Sequence, residues 1–325
     1  MRTVKALFSI FIFLMIGVTP AMAQNWPTRP VRIICPFPAG GGGDQFSRKL
    51  AEKLTTIWKQ PVIVENKPGG GQIIGATTVV HANPDGYTLL LGTEASLQTN
   101  QFLFPKLPYS PARDFTPISR MVGNALVYVV RADSPYQSIQ QLVAAAKANP
   151  GKISYGSAGV GSTVHILANW FSIVAGNVQF LHVPYQGAAP RIQALLAGQL
   201  DFTVTPLSDV VEMVKTNRLR VLATTADKRM KQLPNVATLT ELGYRDSVYF
   251  NMFALVGPAK MQPELANKIA NDTAMALKDP EFKAGFLDPK AFEVFADGPA
   301  AFSKFLASDF DKQKAHVKAA SVSLD

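Results

Sequence analysis

Two short stretches carry the residue types that could do chemistry on an anion or an acyl group. The first is PFPAGGGGD at residues 36–44, the second YGSAGVGSTVH at residues 155–165. In each, glycines leave backbone N–H groups uncovered between a strand-like and a helix-like run. The second adds the hydroxyls of Ser157, Ser162 and Thr163 and the imidazole of His165. Amides gathered at the positive end of a helix dipole can hold a carboxylate without a salt bridge. A serine beside a histidine base could instead attack an ester. Both stretches could also be plain turns with N-caps, but finding two such junctions favours binding.

Other chemistries fit less well. There is no G-x-x-x-x-G-K-[ST]. G-x-G-x-x-G fails from both starts in the Gly40–Gly43 run, because Gln45 and Phe46 fill the last place. Around Ser157 the hydrolase pattern G-x-S-x-G fails, since Tyr155 replaces its first glycine. The histidines available as bases are His81, His165, His182 and His316, with Asp44, Asp85, Asp201 and Asp209 among the carboxylates. His165, three residues after Ser162, could approach that hydroxyl or orient the loop from a helix. With no H-E-x-x-H and no close Cys/His cluster, no metal site is expected.

Alternating strand and helix patterns position these loops. VRIICPF reads as a strand, and residues 44–58 as a helix that puts Phe46, Leu50, Leu54 and Trp58 on one face, capped by Asp44. PVIVEN and YTLLLGT continue a βαβαβ opening, with a helix over residues 72–82. ALVYVV, ISYGS, VQFLHVPY, LDFTVT and LRVLATT repeat the theme, with helices starting near Ser138, Ser162, Ala188 and Leu207. FNMFALVGP, a helix over residues 263–278, AFEVFA and a helix from Pro299 close the chain. The pattern predicts an α/β protein with two mostly parallel sheets flanked by helices. We assign residues 24–122 and 252–325 to domain 1 and residues 123–251 to domain 2, with ligands at the carboxyl ends of strands in the cleft between them.

Residues 1–23 read as a signal peptide, with Arg2 and Lys5 before an apolar run and Ala21-Met22-Ala23 at the cleavage site. The mature protein is therefore expected to be soluble and exported. Cys35, the sole cysteine, excludes an intramolecular disulfide and reads as a buried structural thiol. The 32 Lys and Arg against 23 Asp and Glu are spread out and not interleaved with aromatics. That speaks against nucleic acid and suits a small anion.

RPVRIICPFPAGGGGDQFSRKLAEKL, QPVIVENKPGGG, NPDGYTLLLGT, KLPYSPARDFTPIS, GKISYGSAGVGSTVH and VPYQGAAPRIQALLAGQLD stand in the order seen in the Bug family. These are the TctC-like periplasmic solute-binding proteins of tripartite tricarboxylate transporters, and the resemblance spans the chain after residue 23. It implies a two-domain periplasmic-binding-protein (Venus-flytrap) fold that works without a metal or organic cofactor. The protein would be a monomer that binds a small organic carboxylate and meets cognate transporter membrane subunits. It also implies a clamp in which the first loop supplies Phe37, Gly41, Gly42, Gly43 and Asp44. The second would supply Ser157, Ala158, Gly159, Gly161, Ser162, Thr163 and His165, with Thr93 at the floor. Tyr185, Gly187 and Thr205 would reach the far end of the ligand.

Three departures from the family pattern stand out. Gly43 replaces a usual Thr or Ser, Thr205 a frequent acid, and Glu94 a usual small residue. A cleft-facing Glu94 would repel a second anionic group and favour monocarboxylates or partly neutral or cationic ligands; pointing to solvent, it would have no such effect. The first functional reading is therefore a non-enzymatic receptor that closes on a carboxylate. An exported esterase using Ser157 or Ser162 with His165 is the alternative from chemistry, and a ligand-sensing subunit the alternative from fold.

Overall fold

The computed structural model describes residues 26–321 and 324. The expected signal peptide, residues 1–23, lies outside the described residues. Strands β1 (Val31–Cys35), β2 (Val62–Asn66) and β3 (Thr88–Gly92) pair in parallel through helices α1 (Gly42–Trp58) and α2 (Ile73–Val80). Both faces of β1 carry buried apolar residues because both are covered, with Arg32 alone exposed in the strand. Ile33 and Cys35 pack with Phe46, Leu50 and Leu54 of α1, while Ile34 packs with Ala76 and Val79 of α2. Cys35 is fully buried in this core, and burial raises its thiol pKa. It is the structural thiol expected.

Strand β4 (Phe115–Arg131) is 17 residues long, although the sequence places only its last third in a strand. After it come α3 (Ile139–Ala148), β5 (Ile153–Ser157), α4 (Thr163–Val174), β6 (Phe180–Pro184) and α5 (Ala188–Leu196). Then follow β7 (Phe202–Pro206), α6 (Leu207–Lys215), β8 (Leu219–Thr224), β9 (Phe250–Pro258) and α7 (Pro263–Lys278). Strand β10 (Glu293–Asp297) and helix α8 (Pro299–Ala320) end the fold. The sheet runs β2-β1-β3-β9-β4-β7-β5-β6, with β8 and β10 also on β4.

Parallel pairing is confined to the outer strands of each half; the centre is antiparallel. Residues 115–125 of β4 pair with β9, and its residues 126–131 with β7 and β8. One strand therefore serves both half-sheets. Its side chains alternate between two cores, Leu126, Tyr128 and Val130 facing α3 and α4, Val127 and Val129 facing α5 and α6. Helix α8 straddles the halves. Phe302 enters the first core, while the ring of His316 sits 4.6 Å from that of Trp170 on α4.

Candidate functional site

The turn after β1 is built by its own side chains. The Gly40 amide donates to Asp44 Oδ2 at 2.8 Å, and Asn66 Nδ2 donates to Asp44 Oδ1 at 2.8 Å. Arg48 Nε donates to Oδ2 at 3.0 Å, with Nη2 2.9 Å from Oδ1. Burial pushes the Asp44 carboxyl up, but Arg48, the Gly40 amide and Asn66 together hold its pKa below the ordinary value. The carboxylate expected to cap the helix instead lies in its first turn and reaches back to Gly40. The cap is Gly41, so α1 starts two residues earlier than the apolar pattern suggests.

The glycines divide by purpose. A Cβ on Gly42 would meet nothing within 4 Å, whereas one on Gly43 would lie 2.3 Å from the Phe37 ring. Gly43 therefore lets Phe37 pack against the helix start, where Phe37 meets Phe253 edge-on at 5.9 Å. No hydroxyl-bearing residue fits there while Phe37 holds this position. Gly40, at φ +81°, is the residue that needs a left-handed conformation.

Thr93 forms a joint. Its hydroxyl donates to Gln72 Oε1 at 2.7 Å and accepts from the Ala95 amide at 3.1 Å, and the residue is buried.

The second loop also organises itself. Ser157 is fully buried, its Oγ 2.7 Å from His182 Nε2 and 2.9 Å from the Gly159 carbonyl it donates to. Ser162 is the N-cap of α4 and accepts the His165 amide at 3.4 Å, while the Gly161 amide donates to His165 Nδ1 at 3.1 Å. The Ser162–His165 pair is thus a helix cap, not a nucleophile and its base. Ser157 has a histidine partner that the sequence reading did not single out, but no exposed surface from which to attack a carbonyl carbon. The rings of His165 and His182 stack at 4.0 Å. Burial, then His182, lowers His165 to about 4, and burial also lowers His182. Ala158 is exposed at the loop tip, and Gly159 and Gly161 adopt φ of +119° and +76°.

Thr163 does not point at an open site. Its hydroxyl donates to Glu94 Oε1 at 3.1 Å, across the two halves, and the Met252 amide donates to Oε2 at 3.1 Å. Glu94 is buried, which overturns the solvent-facing alternative. Nor does it line the cavity that holds Gly42. It borders a separate one of about 230 Å³, with Tyr249, Asp309 and Lys312. Burial pushes its carboxyl up against the opposing Met252, Thr163 and Tyr249 hydrogen bonds.

The cavity between the halves has a volume of about 320 Å³. Gly40, Gly42 and Gln45 form one wall, and Ala188, Ser208 and Asp209 at the starts of α5 and α6 form part of the other. Of the expected residues, Gly42 lies directly on this cavity, with Gly41 and Gly43 beside it and Gly187 capping α5. The second loop instead faces the turn after β3 through Thr163 and Glu94. Tyr185 is half-buried and donates its amide to the Ser157 carbonyl at 3.0 Å.

Thr205 is fully buried, so its hydroxyl reaches no ligand directly. It accepts from Arg191 Nη2 at 3.0 Å and donates to Asp209 Oδ2 at 2.8 Å. Sequence reasoning assigned no ligand contact to Gly40, Gln45, Ser208 or Asp209, although it counted Asp209 among the carboxylates open to a hydrolase. The rule that placed α1 at the cleft would have found the last two, because they open the helix that follows β7.

A family model described as the tripartite tricarboxylate transporter family receptor matches residues 46–322. Protein BugT of Bordetella pertussis is 32% identical over 314 residues, which is 96% of this chain and 95% of that protein. The solved structure of the periplasmic binding protein BugD is 30% identical, with a TM-score of 0.80 over 92% of this chain and 99% of that one. An R. palustris protein solved with adipate is 26% identical, with a TM-score of 0.83 over 92% and 99% of the two chains.

Proposed function

The chain belongs to the tripartite tricarboxylate transporter receptor family, and on that premise we propose that it is a periplasmic receptor for a small organic carboxylate. The ligand sits in the cavity between the halves and is delivered to the membrane subunits of its transporter. The observation that carries this reading is the wall of bare backbone at Gly40 and Gly42, at the start of a 17-residue helix, opposite the starts of α5 and α6. The Gly40 amide is taken by Asp44, which leaves the Gly42 amide to meet an anion with the helix dipole behind it. The adipate in the R. palustris relative supports the ligand class. A cavity of about 320 Å³ suits a ligand of that size.

The mechanism is closure without chemistry. The two halves act as domains, residues 24–122 with 252–325 and residues 123–251, hinged where β4 and β9 pass between them near Ala125 and Phe250. A ligand touching both walls favours the closed state by its differential contacts. Micromolar affinity corresponds to about −8 kcal/mol, within reach of a few charge-assisted hydrogen bonds in a water-poor site.

Calorimetric titration of refolded, ligand-stripped protein with aliphatic and aromatic carboxylates tests the reading. Saturable one-to-one heat without product is expected. Ester turnover lost in Ser157→Ala would overturn it in favour of a hydrolase.

A further inference from the structure

Among the described residues, Asp209 is the one carboxylate on the wall of the cavity that also holds Gly40 and Gly42. It sits in the first turn of α6 and is fixed from behind. Thr205 donates to its Oδ2 at 2.8 Å and accepts from Arg191 Nη2 at 3.0 Å. Arg191 is 1% exposed, and its Nε and Nη1 have no hydrogen-bond partner among the described residues. A guanidinium buried this far is costly unless a negative charge stands close by. Asp209 supplies that charge, through the Thr205 hydroxyl.

The geometry sets a hydroxyl donor and a buried cation against Asp209, although its pKa stays above the ordinary carboxyl value. Burial pushes its carboxyl up, and the Thr205 hydroxyl, then the charges of Arg191 and Lys290, oppose that rise. Lys290 is the cation on the cavity wall, but its Nζ lies 5.4 Å from the centre of the Phe286 ring. It makes no ion pair with Asp209 among the described residues. Asp209 is thus compensated through Thr205 on one side and borders the cavity on the other.

A ligand carboxylate on the Gly42 amide leaves the ligand's other end to the opposite wall. A second carboxylate there meets a like charge, whereas an ammonium gains a charge-assisted hydrogen bond. We infer that Asp209 is the specificity-determining residue of the cleft, selecting an amino-carboxylate over a dicarboxylate of the same length. The inference rests on the receptor reading above. It reaches the preference that the sequence attached to Glu94, but from a different residue.

The test is calorimetric titration of the stripped protein with matched pairs of three to six carbons. These are β-alanine and malonate, 4-aminobutyrate and succinate, 5-aminopentanoate and glutarate, and 6-aminohexanoate and adipate. At the length that binds best, the amino member should bind at least about ten-fold more tightly than the dicarboxylate. Asp209→Asn should bring the pair within about three-fold, mainly by weakening the amine. Should this variant fail to fold because Arg191 loses its counter-charge, Arg191→Met with Asp209→Asn removes both charges and is read the same way. A wild-type preference for the dicarboxylates, or a ratio unmoved by the charge-free variant, overturns the inference and leaves the receptor reading standing. Silence from every compound overturns the inference, and the receptor reading then turns on the aromatic carboxylates.

Discussion

Thr163 of the second half donates its hydroxyl to Glu94 of the first at 3.1 Å, and the Glu94 carboxylate takes the Met252 amide at 3.1 Å on its other oxygen. The loop expected to hold a ligand is therefore tied across the halves by a buried acid.

That tie should be pH-dependent. Burial raises the folded-state pKa of Glu94, so the folded chain holds this proton more tightly than the unfolded one. Its contribution to stability is complete below the ordinary carboxyl pKa and is lost as pH rises through the raised folded value. Glu94→Gln mimics the protonated side chain, and Thr163 can rotate to accept from it. The variant should melt at least about 2 °C above wild type at pH 7, with the gap closing at pH 4. A variant less stable at both pH values would contradict this account.

The histidine stack works in the opposite direction. His165 falls to about 4, so its stabilising contribution is complete above its ordinary pKa of 6.5 and is lost as pH falls towards 4. The loss amounts to at most about 3 kcal/mol. His316, also held near 4 by burial, then Lys312, weakens the fold over the same window. His165→Asn keeps an acceptor near the Gly161 amide and should remove only its own share. Urea titrations at pH 7 and pH 5 check this: the wild type should lose more stability between them than the variant.

Gly43→Ser should cost about 1–3 kcal/mol, the usual penalty for overpacking, because its Cβ meets the Phe37 ring at 2.3 Å. Combining it with Phe37→Ala should cost less than the sum of the two. Strict additivity in urea melts would show that the ring is not what excludes the side chain.

Gly42 is the clean probe of the cavity. Gly42→Phe should weaken carboxylate binding at least about 100-fold, near 2.7 kcal/mol, while moving the melting temperature by less than about 2 °C. Gly159 cannot serve as its twin. At φ +119° any side chain there is strained, so lost binding would be confounded by lost stability. Unchanged affinity in Gly42→Phe would remove this wall from the site.

What the sequence revealed follows from what its local patterns encode. VRIIC, VIVEN and TLLLG were legible as strands because β-branched and other apolar residues cluster in each, although only TLLLG is buried throughout. The first part of β4 was not, because Pro117, Arg120, Gly123 and Asn124 read as a loop. The ladder shifts register between Pro117 and Ser119, an irregularity of the kind that accommodates a proline within a strand. Gly42 and Gly43 were read as loop for their low helix propensity, although the first turn of α1 tolerates them. The orientations of Glu94 and Thr205 depend on Thr163 and Arg191, distant in sequence, so no local pattern could give them.

Because β4 runs through both half-sheets as one continuous strand, neither half can be cut out as a self-sufficient module. Excising residues 123–251 would sever the strand at its midpoint and expose two fresh edges. Heating should accordingly unfold the whole chain in one calorimetric event, with van 't Hoff and calorimetric enthalpies equal. The capture surface can be redesigned wall by wall, but the scaffold beneath it changes only as a single unit.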